Sequence, residues 1–199
     1  MSELNAAVAA VSPRSPVPHL SPAAAVAEVG RRLRSRTGTR WVGVDGKGAS
    51  GKTTLARRIA AGLPGSVVIS VDDFARPDLR GWERERFVAQ VRDPLLTGRT
   101  ARYQRWDCDS DTGADWVEVP PGHPVVVEGV SATDVRLGVP WDVTLWVEVG
   151  ADERMRRALE RDGEAMRERW LTDWIPSEEA YVREQRPQER VDLIVDGCG

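Results

Sequence analysis

Cysteine is scarce in this sequence, and long apolar runs are missing. Cys108 and Cys198 are the only cysteines among 199 residues, and they form no CxxC or zinc-spaced pattern. No segment approaches the roughly 20 apolar residues that a membrane-spanning helix needs. The N-terminus also has no cationic stretch followed by an apolar core, the mark of a signal peptide. The sequence therefore predicts a reduced cytoplasmic protein without a membrane partner.

Neither sign of charge is in large excess. The formal net charge is -3 at pH 7, so no basic field predicts a nucleic-acid partner. Lysine is nearly absent: of the 28 Lys and Arg residues, only Lys47 and Lys52 are lysine, and both lie in one eight-residue loop. A GC-rich coding background explains arginine elsewhere, but arginine's planar fork does not replace a compact ammonium. This loop is therefore a candidate functional site. The composition leaves the oligomeric state open, a homo-oligomer included.

The length fits one domain of ordinary size. Residues 1–21 are rich in Ala, Ser and Pro, which favours a flexible leader, and residues 22–199 are expected to form the domain. Nearly continuous apolar runs predict buried strands at 40–45, 66–71, 124–127, 143–149 and 191–195. Helical spacing predicts helices that include 23–36, 83–92, 152–170 and 177–186. This alternation predicts an α/β fold with a mostly parallel central sheet flanked by helices. A small antiparallel excursion is expected at its rim, between Arg99 and Val119.

The residues from Gly46 to Thr53 read GKGASGKT and match the phosphate-loop pattern G-x-x-x-x-G-K-[ST] without deviation. A predicted strand precedes the motif and a predicted helix follows it, as in the P-loop NTPase fold. Glycines let successive amides point at phosphate oxygens, and a helix N-terminus adds partial positive charge. Lys52 is expected to reach the β- and γ-phosphates of ATP, and Thr53 to hold Mg²⁺. The predicted nucleotide contacts are Gly46, Gly48, Ala49, Ser50, Gly51, Lys52, Thr53 and Thr54.

The loop alone does not separate kinases, GTPases, transport ATPases and motors. A GTPase needs an N/T-K-x-D motif to read its base, and no such motif exists here because both lysines lie in the loop. A glycine-rich turn that binds nothing is the alternative interpretation of the loop. Lys47 is either a further phosphate contact or a solvent-facing residue.

Two acidic segments follow predicted strands. The sequence SVDDF, from Ser70 to Phe74, places Asp72 at the carboxyl edge of the sheet, where open α/β folds bind ligands. Asp72 is the candidate catalytic base, which would accept the proton of an acceptor hydroxyl, and a further candidate metal contact. The sequence VVVEG places Glu128 at a second strand end as a candidate Mg²⁺ ligand, direct or through water. The alternatives are an aspartate pair that caps a turn and a surface glutamate.

Arginines are spaced to share one helix face. Arg154, Arg157 and Arg161 stand at i, i+3 and i+7, and Arg167 follows. Such a face belongs to a candidate helical lid over about residues 151–187, which would close over ATP and stabilise charge on the transferred group. The alternative is a solvated helix whose acidic residues pair with the arginines.

These motifs together resemble the uridine kinase-like family of P-loop small-molecule kinases. The resemblance runs from about Trp41 to Gly197 and rests on VDGKGASGKTTLA, SVDDF, PLLTGRTARY, VVVEG, RALERD and VDLIVDG. It implies that Asp72 is the catalytic base, Glu128 the acid near the metal, and Arg161 a lid arginine on phosphate. It also implies that the last strand and the turn after it lie beside adenine.

The sequence departs from that family where the acceptor would bind. Gly81 and Trp82 stand where uridine kinases have an aspartate that grips ribose hydroxyls, and Cys108 stands near an expected histidine. Uridine is thus in doubt as the acceptor. The candidate acceptor contacts are Asp73, Tyr103, Arg105, Trp106 and Arg167.

Two functions remain open. The first is an ATP-dependent kinase, with Lys52, Asp72 and Arg161 as catalytic residues and ATP and Mg²⁺ bound. Its acceptor would be a small hydroxyl compound such as a nucleoside like uridine, a pantothenate-like alcohol, a sugar or an antibiotic. The second is a switch or assembly factor that binds or hydrolyses ATP without a small acceptor, in which Asp72 would position water.

Overall fold

The computed structural model describes residues 16–76, 81–107 and 110–198. Its main sheet consists of β1 (His19–Leu20), β2 (Arg40–Gly46), β3 (Val67–Ser70), β6 (Pro124–Glu128), β7 (Val143–Glu148) and β8 (Leu193–Asp196). The spatial order is β1-β8-β7-β2-β6-β3, and every neighbouring pair in it is parallel. The predicted parallel sheet is confirmed.

A separate antiparallel pair stands beside this sheet. It consists of β4 (Ala101–Asp107) and β5 (Thr112–Val119), with a register shift between Gln104 and Trp106. The predicted rim excursion is therefore confirmed. Tyr103 of β4 is buried and its ring stacks on Phe74, with centroids 4.9 Å apart, so the rim pair is joined to the core beside the sheet.

Both faces of the main sheet are covered, which explains its apolar strands. Successive strand residues point to opposite faces. In β6, Val125 and Val127 pack into a core that includes Phe87, whereas Val126 packs into a second core that includes Ile59. A polar residue at any of these three valines would be buried, so the strand is apolar throughout.

The helices are α1 (Pro22–Leu33), α2 (Lys52–Ala61), α3 (Arg84–Phe87), α4 (Asp93–Leu96), α5 (Ala151–Asp162), α6 (Arg167–Arg169), α7 (Ile175–Gln185) and α8 (Pro187–Arg190). The prediction of one helix over 152–170 was wrong, because α5 ends at Gly163. That glycine has φ +88°, and its amide bonds to the carbonyl of Leu159. A positive φ is open to glycine and turns the chain away from the helix axis at this point.

Two wide turns interrupt the other helical segments. Residues Val88–Arg92 and Trp170–Trp174 are π-helical, and after each the next amide bonds five residues back. Pro94 and Pro176 follow these turns, and proline has no amide hydrogen for the ordinary bond four residues back. The second turn carries Trp170, which is buried.

The predicted leader lies mostly outside the described residues, which begin at residue 16. Its final part, His19–Leu20, pairs with Ile194 and Val195 of β8 and forms an edge of the sheet. Cys108 also lies outside the described residues. None of the helices in the described part of the chain combines the length and apolarity needed to cross a membrane.

Candidate active site

The predicted phosphate loop, base and metal ligand follow three adjacent strands. The loop follows β2, Asp72 follows β3, and Glu128 ends β6, which lies between them. Because the strands are parallel, their carboxyl ends lie at one edge of the sheet. Thr53, next to Lys52, contacts Glu128, and Ser70, two residues before Asp72, pairs with Glu128 in the sheet, so these groups lie close together.

The phosphate loop has the backbone shape expected of a phosphate cradle. Gly46, Ala49 and Gly51 have φ values of +151°, +58° and +92°. A Cβ atom at Gly46 would lie 2.7 Å from the carbonyl oxygen of Val147, so no larger residue fits there. Helix α2 begins at Lys52 without a side-chain cap. Its first amides are therefore left for a ligand.

Two polar groups in the loop suit a phosphate ligand. Lys52 is only 7% exposed, and its ammonium donates to the carbonyl of Lys47 at 2.8 Å. Burial lowers the pKa of Lys52, whereas the charge of Glu128 opposes that shift. Within the described part of the chain, the buried hydroxyl of Ser50 has no hydrogen-bond partner. A buried cation and an orphan hydroxyl beside exposed helix amides fit a polyphosphate.

Thr53 and Glu128 lie together at the start of α2. The Thr53 hydroxyl is 3.1 Å from Oε1 and 3.2 Å from Oε2 of Glu128. Burial raises the pKa of Glu128, and the charge of Lys52 opposes this shift. A hydroxyl beside a carboxylate is an oxygen donor set of the kind Mg²⁺ prefers, so these residues fit the predicted metal.

Asp72 lies in a short 3-10 turn (Val71–Phe74) after β3, and its amide bonds to the hydroxyl of Ser70 at 3.3 Å. The side chain is exposed to solvent. Surrounding protein nevertheless reduces its hydration and raises its pKa, and the charges of Lys52 and Arg161 oppose that shift. A carboxylate that is both accessible and raised in pKa suits proton acceptance from a hydroxyl.

Gly129 allows the end of β6, which carries the candidate metal ligand, to approach the turn after β3, which carries the candidate base. Gly129 follows Glu128 and has φ +141°. A Cβ atom there would lie 2.2 Å from a methyl group of Val71. The chain after β6 therefore passes too close to Val71 for any side chain at position 129.

The three spaced arginines make different contacts, although they share one face of α5. Arg154 is buried and contacts the loop at the carbonyl of Gly48, 3.4 Å away. Arg157 donates to the carbonyl of Gly197 at 3.0 Å, in the turn after β8. Arg161 is exposed, pairs with Asp162, and interacts electrostatically with Asp72. Only Arg161 thus combines an exposed guanidinium with proximity to the candidate base.

Among the described residues, no contact connects Arg167 with Lys52, Asp72 or Glu128. Its guanidinium bonds to Glu164, three residues earlier, at 3.0 Å. This pair is exposed, as the solvated-helix alternative expects. Its role at the acceptor stays a prediction.

Three of the candidate acceptor contacts, Asp73, Tyr103 and Arg105, form a connected group. The Tyr103 hydroxyl donates to Asp73 at 3.0 Å, and Arg105 Nε donates to the other carboxylate oxygen at 3.1 Å. Burial, followed by the charge of Asp73, raises the pKa of Tyr103, so the phenol stays protonated and donates. Trp106 is half-buried and carries the guanidinium of Arg76 over its ring at 4.4 Å. Asp73 therefore joins the 3-10 turn to the rim pair.

Sequence reasoning missed three residues of the site. Arg86 donates to the carbonyls of Asp73 and Gln104. Asp45 is fully buried directly before the loop and accepts bonds from residues 46, 131, 133 and 181. Glu178 of α7 bonds to the loop itself. An aspartate near the end of a mostly apolar β2 was a readable signal, whereas nothing in the local pattern marked Arg86 or Glu178.

The sequence matches no protein-family profile and no curated protein. Solved structures do match it. One, described as a possible uridine kinase from Bacillus stearothermophilus, superimposes with a TM-score of 0.66 at 17% identity, covering 86% of this chain and 97% of that one. Another, provisionally assigned as a fructose transport system kinase from Silicibacter sp. TM1040, gives 0.67 at 21% identity, covering 88% and 98%.

The chain therefore has the fold of uridine kinase-like P-loop kinases over most of its length. Both of these structures are named for kinases with different acceptors. The shared fold leaves both the chemistry and the acceptor to be argued from the residues of this chain.

Proposed function

We propose that this protein is an ATP-dependent kinase that transfers the γ-phosphoryl group to a hydroxyl of a small molecule. The observation that carries the proposal is the joint position of Lys52, Asp72 and Glu128 at the carboxyl edge of the sheet. A phosphate-binding cation, an accessible carboxylate and a metal-binding acid are the parts that phosphoryl transfer requires. The kinase fold of the structural neighbours supports the same chemistry.

The loop residues of this chain would bind and orient the triphosphate. Amides from Gly46 to Thr54 and the Lys52 ammonium would neutralise its charge. Thr53 and Glu128, with Asp72 nearby, would hold Mg²⁺, which supplies charge neutralisation on the phosphate oxygens when bound. Arg157, bonded to Gly197, would fix the turn after β8 beside the adenine.

Asp72 would accept the proton of the acceptor hydroxyl as its oxygen forms a bond to the γ-phosphorus. The bond between that phosphorus and the bridging oxygen breaks, and ADP leaves. Arg161 would support the transferred group, since its guanidinium is exposed and coupled to Asp72. These steps depend on positioning and charge, as in other phosphoryl transfers.

The acceptor would bind between Asp72 and the rim pair. Asp73, Tyr103 and Arg105 form the connected wall there, and Trp106 offers an aromatic face. The sequence also lacks the ribose-gripping aspartate and the histidine that the family resemblance implies for uridine. We therefore propose an acceptor class that includes nucleosides, sugars and other small alcohols. We also propose that residues 22–199 form a single domain and that the protein is cytoplasmic.

The direct test is an ADP-release screen of purified protein with Mg·ATP across hydroxyl-bearing metabolites, followed by mass measurement of the product. A kinase shows release that depends on one acceptor class and a product heavier by one phosphoryl group. ATP hydrolysis that no acceptor changes, together with a nucleotide-dependent protein partner, would instead favour the switch or assembly factor.

A further inference from the structure

Helix α7 reaches the phosphate loop through a buried carboxylate. The amide of Gly48 donates to Oε1 of Glu178 at 2.9 Å. Arg154 of α5 bonds to the other oxygen of Glu178 at 3.2 Å and to the Gly48 carbonyl at 3.4 Å. Both polar backbone groups of Gly48 are thus bonded to one ion pair.

This ion pair is shielded from water. Glu178 is 5% exposed and Arg154 is 6% exposed. Burial raises the pKa of Glu178, and the bond from the Gly48 amide is the largest opposing influence. A buried ion pair tolerates little displacement, since separating it leaves an uncompensated charge. The loop segment at Gly48 therefore has a defined position before any nucleotide binds.

The packing around Gly48 leaves no space for a side chain. A Cβ atom there would lie 2.6 Å from Oε1 of Glu178 and 2.5 Å from the Trp170 ring. The glycine at this position of the motif is thus required by its contact with the helical segment 170–185, in addition to any requirement of the ligand.

The same helix also contacts the residues just before Gly48. Glu179 pairs with Lys47. The Tyr181 hydroxyl donates to Asp45 at 2.6 Å, and the other oxygen of that carboxylate accepts the Gly46 amide at 2.7 Å. About one turn of α7, from Glu178 to Tyr181, therefore contacts the beginning of the loop and the aspartate before it.

We infer that Glu178 is a positioning residue for nucleotide binding, which together with Arg154 fixes the Gly48 peptide so that the phosphate loop is formed in advance. The inference rests on the proposed function only in taking Mg·ATP as the ligand. The charge of a carboxylate near phosphates is unfavourable for binding. Arg154 offsets that charge. Because the loop is already ordered, ATP binding avoids the entropy cost of ordering it.

The chain offers a matched control on the same helix. Gln185 also bonds α7 to the domain, through the amide of Val135 at 3.0 Å and the carboxylate of Asp134 at 2.8 Å. These contacts are not part of the loop. Gln185→Ala therefore weakens the attachment of α7 and leaves the Glu178 contact in place.

Two measurements test the inference on Glu178→Ala, Glu178→Gln and Gln185→Ala. Hydrogen exchange of the nucleotide-free protein follows the amides at 46–50, and isothermal titration gives the Kd for Mg·ATP. We expect Glu178→Ala to speed this exchange and to raise Kd, each by about tenfold or more. Glu178→Gln keeps an acceptor for the Gly48 amide and should show a smaller effect. Gln185→Ala should lower Tm but change exchange and Kd by less than about twofold.

The inference is overturned if Glu178→Ala and Gln185→Ala give the same Kd, or if Glu178→Ala binds Mg·ATP as tightly as the parent or more tightly. Faster exchange without a change in Kd also overturns it. If Glu178→Ala does not fold, Glu178→Gln carries the same comparison. If the parent protein binds no Mg·ATP, the proposed function fails, and unchanged exchange in the Glu178 variants separately refutes the preformed loop.

Discussion

The proposed nucleotide side and the proposed acceptor side of the site are built in different ways. The nucleotide side uses eight consecutive residues, Gly46–Thr53, whose main-chain shape makes the cradle. The acceptor side joins side chains from two separate elements, the turn at Asp73 and the rim strand at Tyr103 and Arg105. A cradle of amides binds any triphosphate, whereas a wall of side chains changes its ligand with each substitution. We therefore expect variants of the two sides to affect different constants.

The largest expected effect belongs to Asp72, where the two sides meet. Asp72→Asn removes the proton acceptor without a change in size, so turnover should fall by about 10²- to 10⁴-fold. ADP release at saturating ATP and acceptor measures the loss, and titration with Mg·ATP should give nearly the parent Kd. Equal turnover in the variant would remove Asp72 from the mechanism.

The second-largest effect is expected from a change at Glu128, the candidate Mg²⁺ ligand on the nucleotide side. Glu128→Gln should raise the Mg²⁺ concentration needed for half-maximal turnover by about tenfold or more, because a charged oxygen ligand is lost beside Thr53. The acceptor KM should stay unchanged. A Mg²⁺ requirement equal to that of the parent would show that Glu128 has no part in holding the metal.

A smaller effect is expected from the acceptor wall. Tyr103→Phe deletes the bond to Asp73 and should raise the acceptor KM severalfold, while the KM for ATP stays constant. Arg105→Ala should act in the same direction, and Arg102→Ala on the exposed side of the same strand is the control. If ATP and acceptor constants move together in these variants, the division into two sides is wrong.

The smallest effect on activity is expected outside both sides, at Asp134. Burial would raise its pKa, but bonds from Arg136 and Gln185 and the charge of Arg84 lower it to about 2. A lowered pKa stabilises the folded state above the unfolded value of about 4, and that stability is lost as pH falls toward 2. Asp134→Asn should cost about 2 kcal/mol at neutral pH, measured by urea unfolding. A cost that does not shrink in acid would contradict this assignment.

The setting of the phosphate-loop motif, between a strand and a helix, could be predicted because its signals are local. Glycine spacing, the lysine and the hydroxyl stand together in the chain, and the apolar runs define the parallel sheet that presents them. Glu128 and Asp72 could be added because parallel strands end at one edge. These parts follow from short-range patterns and one topological rule.

The remaining parts depend on contacts between distant segments. Glu178 lies 130 positions from Gly48, and its helix resembles any amphipathic surface helix until it is packed. The different contacts made by Arg154, Arg157 and Arg161 likewise depend on where α5 packs. The break at Gly163 could have been predicted from that glycine, but the helical spacing on either side outweighed it.

Titration calorimetry with Mg·ATP on the parent and on Lys52→Ala tests the central claim most directly. The account predicts saturable binding at one site for the parent, and a loss of about a hundredfold or more in affinity when the buried ammonium is removed. No heat with the parent, or equal affinity for the two proteins, would contradict the claim that residues 46–53 bind a triphosphate.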